Sequence, residues 1–291
     1  MQRWTIGDVT VTQIVESTYE RMEDLLPDAK AEAVLPIAWL QPHYITPSGS
    51  LKYSIHALVV ETPSRRIIVD TCVGNGKPRS FFPMWDRLQT AFLEDLAAAG
   101  FPRETIDVVL CTHLHLDHVG WNTMLVDGEW VPTFPNARYL VERTEFALMN
   151  TAEADARIEP WQRELDVVVM CDSVRPVYDA GLMNLVDGDH RVCDEVRLLP
   201  TPGHTVGHVS VLIESRRQRA LITGDSIHHP CQLAHPEWCV IGEFDRVRSE
   251  RTRREVFGGL AGSPTLVIGT HWCEPSAGRI AAEGGAFRLV S

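Results

Sequence analysis

Residues 106–120 read Ile-Asp-Val-Val-Leu-Cys-Thr-His-Leu-His-Leu-Asp-His-Val-Gly. The β-branched, apolar run from Ile106 to Leu110 predicts a buried strand. At its end stand His113, His115, Asp117 and His118, four ligand-type side chains within six residues. Residues two apart on an extended segment project to the same side, so His113 and His115 can offer imidazoles to one ion. Asp117 and His118 follow where the chain must bend, and can turn toward a second. Imidazole with carboxylate suits zinc; iron, cobalt and manganese accept the same donors. A polar loop capping the next helix, with Asp117 as N-cap, would account for one or two of these residues. Four ionisable groups at one strand end point instead to ligands or catalysts.

The same arrangement recurs along the chain. Arg66–Val69 reads as a strand ending in Asp70, ahead of the turn Gly74-Asn75-Gly76, and Asp70 is expected to hold the neighbouring ligand loop. Val196–Leu199 precedes Thr201-Pro202-Gly203-His204, Ala220–Ile222 precedes Thr223-Gly224-Asp225, and Thr265–Ile268 precedes Gly269-Thr270-His271. Active sites of sheet-based folds gather where strand ends and their loops converge. A lone histidine such as His204 would ordinarily be structural; the cluster at 113–118 supplies it with partners.

Elsewhere, Trp4–Ile6, Gly7-Asp8 and Val9–Val15 predict a hairpin, and Ile55–Val60 a strand. Asp86 with Gln89 resembles a capping box for a helix with the stripe Leu88, Phe92, Leu96 and Ala99, ended by Gly100. Tyr139–Val141 predicts a strand and Glu142–Asn150 a helix. The irregular stretches 22–50, with Trp39 and Tyr44, and 151–190 are the expected walls of a substrate pocket. The segments Arg216, Arg217, Arg219 and Arg251, Arg253, Arg254 predict a turn and a solvated helix face.

The 291 residues, 44% of them hydrophobic, are enough for a full core, and the expectation is a single domain over 1–291 of mixed α/β class. No stretch approaches the ~20 apolar residues of a membrane span, and no secretory leader precedes Trp4, which predicts a cytoplasmic protein. A net charge of -12 argues against nucleic-acid or anionic-membrane partners. Seven cysteines without a Cys-x-x-Cys pair fit reduced thiols, and Cys111 and Cys273 are expected to pack.

The run Thr112-His113-Leu114-His115-Leu116-Asp117-His118, with Gly203-His204, Gly224-Asp225 and Gly269-Thr270-His271 in that order, resembles the metallo-β-lactamase superfamily. The resemblance spans nearly the whole chain and implies a four-layer αβ/βα sandwich, two mixed sheets flanked by helices. It also implies a dinuclear centre: His113, His115 and His204 on one ion, Asp117, His118 and His271 on the other, Asp225 bridging, with zinc the expected metal. Among branches of the family, Asp-His-Val-Gly-Trp-Asn and Gly-Asp-x-x-His look most like acyl-homoserine lactonases and methyl parathion hydrolase. His228 stands where lactonases often carry tyrosine.

The function this implies is hydrolysis of a small ester or lactone, with phosphotriesters as further substrates, and with Asp117, Asp225 and His228 as the catalytic residues. His228 could contact substrate or leaving group, or hydrogen-bond a carboxylate behind the ligands. A homodimer is expected, as in related lactonases. The alternative is a mononuclear iron dioxygenase of persulfide or thiol substrates, which shares the His-x-His-x-Asp-His run.

Overall fold

A computed structural model describes residues 1–20, 24–151 and 158–290. Residues 22 and 23 of the first predicted pocket wall and 152–157 of the second lie outside the described residues. The chain divides into two compact units, one formed by Met1–Ser17 with Ile55–Gly188 and the other by Thr18–Ser54 with Asp189–Ser291.

The strands of the first sheet are β1 (Arg3–Ile6), β2 (Val9–Glu20), β3 (Lys52–Glu61), β4 (Arg66–Val69), β5 (Val108–Leu110), β8 (Arg138–Glu142) and β9 (Met183–Val186), while β6 (Thr123–Val126) and β7 (Glu129–Pro132) form a separate ribbon. Their order is β1-β2-β3-β4-β5-β8-β9. The predicted hairpin is present, with Ile6 opposite Val9 across Gly7-Asp8. β4, β5, β8 and β9 run parallel. Parallel strands end on the same edge, so Asp70, one residue beyond β4, comes beside the ligand loop that follows β5. Ile67, Ile68, Val109 and Leu110 are fully buried, each contributing about 1.5–3 kcal/mol of transfer free energy.

The second sheet is β10 (Val196–Pro200), β11 (Val209–Ser215), β12 (Gln218–Ile222), β13 (Leu266–Ile268), β14 (Ala277–Glu283) and β15 (Ala286–Val290), in that order. β10 and β12 are both antiparallel to β11, and β12 is parallel to β13. Three strands therefore end at one edge, and beyond them lie His204, Asp225 and His271. The predicted turn at Arg216-Arg217 joins β11 to β12, with both residues at positive φ.

The helices are α1 (Ala31–Val34), α2 (Phe92–Ala98), α3 (Arg143–Met149), α4 (Pro160–Val169), α5 (Arg175–Asp179), α6 (Cys231–Ala234) and α7 (Arg246–Leu260), with a π-helical turn at Met170–Val174 between α4 and α5. That turn carries Asp172, whose carboxylate takes two hydrogen bonds from the buried Arg79, at 2.7 and 3.0 Å. Among the described residues no helix is long and apolar enough to cross a membrane.

Two expectations are corrected. The helix near residue 90 starts at Phe92, not after a capping box at Asp86. Asp86 Oδ1 instead accepts the Arg79 N–H at 2.7 Å, and Asn75 takes both backbone groups of Thr90, leaving neither for a helical turn. The face of α7 that carries Arg253 is not solvated. Ser249, Thr252, Arg253 and Phe257 are buried there at helical spacing, and Arg253 is 0% exposed.

Candidate metal centre

In the first unit the ligand loop is held from behind by carboxylates. Asp70, at φ 56°, is 1% exposed. Its Oδ1 accepts the Thr112 N–H at 2.8 Å, and its Oδ2 accepts the Thr112 hydroxyl at 2.9 Å. The same Oδ2 lies 2.9 Å from His118 Nδ1, which fixes the proton there and turns Nε2 outward. The holding role expected for Asp70 is therefore present. The Thr112 hydroxyl in turn lies 3.0 Å from His113 Nδ1. Glu145, buried on α3, accepts the Leu114 N–H at 3.2 Å and pins the loop between its first two histidines. Gly120 closes the loop: a Cβ there would lie 1.8 Å from the Val73 carbonyl oxygen, so only glycine permits this backbone approach.

These restraints concentrate donors. His113 Nε2 lies 3.0 Å from His115 Nδ1, the His113 and His118 rings are 4.0 Å apart, and His118 Nε2 is 3.8 Å from Asp117 Oδ1. His113 and His118 are buried, Asp117 is 9% exposed and His115 is half-buried. Asp70→Asn would give His118 a weaker acceptor, and divalent-metal affinity is expected to fall about 10- to 100-fold, read by chelator competition.

In the second unit Asp225 is the hub. His271 Nε2 lies 2.9 Å from Oδ1, while His228 Nε2 at 3.0 Å and His204 Nε2 at 3.5 Å face Oδ2. Ligand atoms of His204, Asp225 and His228 all lie within 4.8 Å of one another. His271 Nδ1 donates to the Ser54 carbonyl at 3.1 Å, and its ring stacks on Tyr53 at 4.4 Å. His208, which the sequence marks only as another histidine, accepts the Asp225 N–H on Nε2 at 2.7 Å, with Nδ1 2.8 Å from the Thr201 hydroxyl. Burial lowers the pKa of His228, against the pull of Asp225, and favours its neutral form. Glu243, absent from the sequence-based candidates, is buried with Oε2 3.6 Å from His204 Nδ1. Burial alone would raise its pKa; His204, Arg253 and His228 hold it well below the usual carboxylate range.

Other histidines are braces or surface groups. His229 is buried between the Tyr44 carbonyl and the Cys231 N–H, and burial lowers its pKa to about 4. His235 stacks on Trp238, and His43 is exposed. Tyr44, considered for a pocket wall, is 3% exposed and donates to the Pro275 carbonyl. Cys111 packs beside Asn122, as expected.

The donor chemistry fits divalent cations. Imidazoles with one nitrogen held by an oxygen acceptor and the other turned toward carboxylates form a lone-pair and anion environment that a cation neutralises.

A model of the metallo-beta-lactamase superfamily matches residues 52–268. An N-acyl homoserine lactonase of a Bacillus species is 28% identical over 188 residues, 60% of this chain and 63% of that protein. A probable metallo-hydrolase of Mycobacterium tuberculosis, Rv2300c, is 25% identical over 198 residues, 60% of this chain and 57% of that protein. The chain thus spans less than two thirds of the length of these curated relatives. Among solved structures, the hydrolase AbOPH of the beta lactamase superfamily superposes with TM-score 0.81 at 22% identity, covering 99% of this chain and 96% of that one. AidC, a dizinc quorum-quenching lactonase in complex with a product, gives TM-score 0.81 at 18% identity with the same coverage. These likenesses show a shared fold.

Proposed function

Because this chain belongs to the metallo-beta-lactamase superfamily, we propose that it is a metal-dependent hydrolase acting on a small ester or lactone of the acyl-homoserine lactone kind, with phosphotriesters as secondary substrates. His113, His115 and His204 are assigned to one divalent ion and Asp117, His118 and His271 to a second, with Asp225 shared and zinc the expected metal. On this assignment the chain 1–291 works as one functional domain. The observation that carries the reading is Asp225, a buried carboxylate approached by three imidazole nitrogens at 2.9, 3.0 and 3.5 Å.

Bound divalent ions would supply Lewis acidity, acidifying water and polarising the bond to be cleaved. The chain's own groups do the rest. Asp117 is assigned to accept a proton from the attacking water. His228, neutral through burial with Nε2 3.0 Å from Asp225 Oδ2, is assigned to hydrogen-bond the departing oxygen, which takes up the proton that Asp117 received. The net charge of -12 favours neutral substrates over polyanions, and the names of the lactonase relatives support the lactone class.

The test is elemental analysis of protein expressed without metal supplementation, paired with turnover of an aryl ester, a simple lactone and an aryl phosphotriester. Two equivalents of zinc, cobalt or manganese per chain with lactone or ester turnover are expected. One iron per chain, no hydrolysis and oxygen uptake on a thiol or persulfide would replace this reading with the dioxygenase.

A further inference from the structure

We propose that Glu243 is a positioning residue that fixes the tautomer and direction of His204, with Arg253 as its counterion. The proposal deepens the reading above and rests on His204 being a metal ligand. Three features of the second unit carry it.

The backbone brings the two side chains together. The Phe244 N–H bonds to the His204 carbonyl at 3.1 Å, and the Asp245 N–H to the Gly203 carbonyl at 2.9 Å, so residues 243–245 are laced along the 203–204 turn. Asp245 also caps α7, accepting the Arg248 N–H at 2.9 Å. Gly203, at φ 142°, lets that turn lie against α7, where a Cβ would fall 2.5 Å from Ser249 N. The turn and the helix start therefore form one rigid corner.

The carboxylate is buried and aimed. Its side chain is 0% exposed, and Oε2 has no hydrogen-bond partner among the described residues while lying 3.6 Å from His204 Nδ1. The other ring nitrogen, Nε2, faces Asp225 at 3.5 Å. Both ring nitrogens thus face carboxylates; a divalent ion held by the Nε2 lone pair, as assigned above, would leave the ring's single proton at Nδ1, where Glu243 accepts it.

The charge of Glu243 is maintained from the far side. Arg253 Nη1 lies 3.4 Å from Glu243 Oε1, and both side chains are 0% exposed. The guanidinium is itself fixed by the Pro236 carbonyl at 2.7 Å, the Ser226 carbonyl at 3.4 Å and Cys239 Sγ at 3.0 Å. A carboxylate that served only to neutralise Arg253 would need neither its approach to Nδ1 nor the backbone lacing to the His204 turn.

The experiment measures zinc affinity by chelator competition in six proteins: wild type, Glu243→Gln, Glu243→Asp, His204→Ala, and each Glu243 variant combined with His204→Ala. Each is held at a temperature where its metal-free form is folded, so that global stability does not enter. Glu243→Gln removes the charge, and Glu243→Asp keeps it beside Arg253 but withdraws it from Nδ1. Both are expected to weaken zinc binding about 10- to 100-fold, the usual cost of losing a partner behind a metal-bound histidine, and to change nothing further in a His204→Ala background. Affinity within twofold of wild type for both Glu243 variants, while His204→Ala loses metal, overturns the proposal and leaves the ligand assignment standing. Unchanged metal content in His204→Ala overturns the ligand assignment, and the proposal with it. Should the Glu243 variants fail to fold, nitrogen NMR of zinc-loaded wild type decides. A proton on His204 Nδ1 protected from solvent exchange supports the proposal, and its absence defeats it.

Discussion

Asp225→Ala is expected to abolish metal-dependent turnover, lowering kcat/KM by about 10²–10³-fold or more, and to reduce metal content below two equivalents. The size of the effect follows from connectivity. Asp225 is buried, faces His204, His228 and His271, and is itself set by the His208 bond to its backbone N–H. Its removal leaves three buried imidazoles without the anion that organises them. Elemental analysis with steady-state kinetics checks the result, and circular dichroism of the metal-free protein separates it from unfolding. Retained stoichiometry with retained turnover would show that the carboxylate does not hold the ions.

Arg253→Met is the change expected to cost most in stability. The pair with Glu243 is wholly buried, and losing the guanidinium strands a carboxylate away from water, at about 3–5 kcal/mol. For a chain of this size that corresponds to a fall in Tm of roughly 10 °C. The neighbouring Arg254 provides the internal control. It pairs with Glu250 at 2.8 Å on the exposed face of the same helix, and Arg254→Met is expected to change stability by no more than about 0.5 kcal/mol. Urea denaturation of the metal-free variants reads both; equal effects would show that burial of Arg253 confers no special dependence.

The contrast between these two arginines also shows what local pattern reveals and what it does not. The strands flanking 106–120, and the donors at their ends, follow from apolar runs and residue type over a few positions. The parallel pairs β4/β5 and β12/β13 then align those ends at one edge of each sheet, while His204 gains weight in the sequence only from the cluster at 113–118. Arg251, Arg253 and Arg254 look alike in the sequence. Only the approach of Glu243, Pro236 and Cys239 makes the middle one internal. Asp86 failed in the same way. Its sequence neighbours suggested a helix cap, but a loop from Arg79 claimed its carboxylate first. His208 and Glu243 carried no signal at all, because a single histidine or glutamate acquires meaning only from partners distant in sequence.

The bond between His271 and the Ser54 carbonyl has a consequence in time. Its two ends are separated by 217 residues, and at ordinary elongation rates of about 5–20 residues per second the later partner leaves the ribosome roughly ten to forty seconds after the earlier one. For that interval the Tyr53–Ser54 platform exists without the imidazole it will stack against and orient. The Asp225 cluster of the second unit is therefore completed as a late step of synthesis, and a chain released before residue 271 carries Asp225 and His204 without the imidazole of His271.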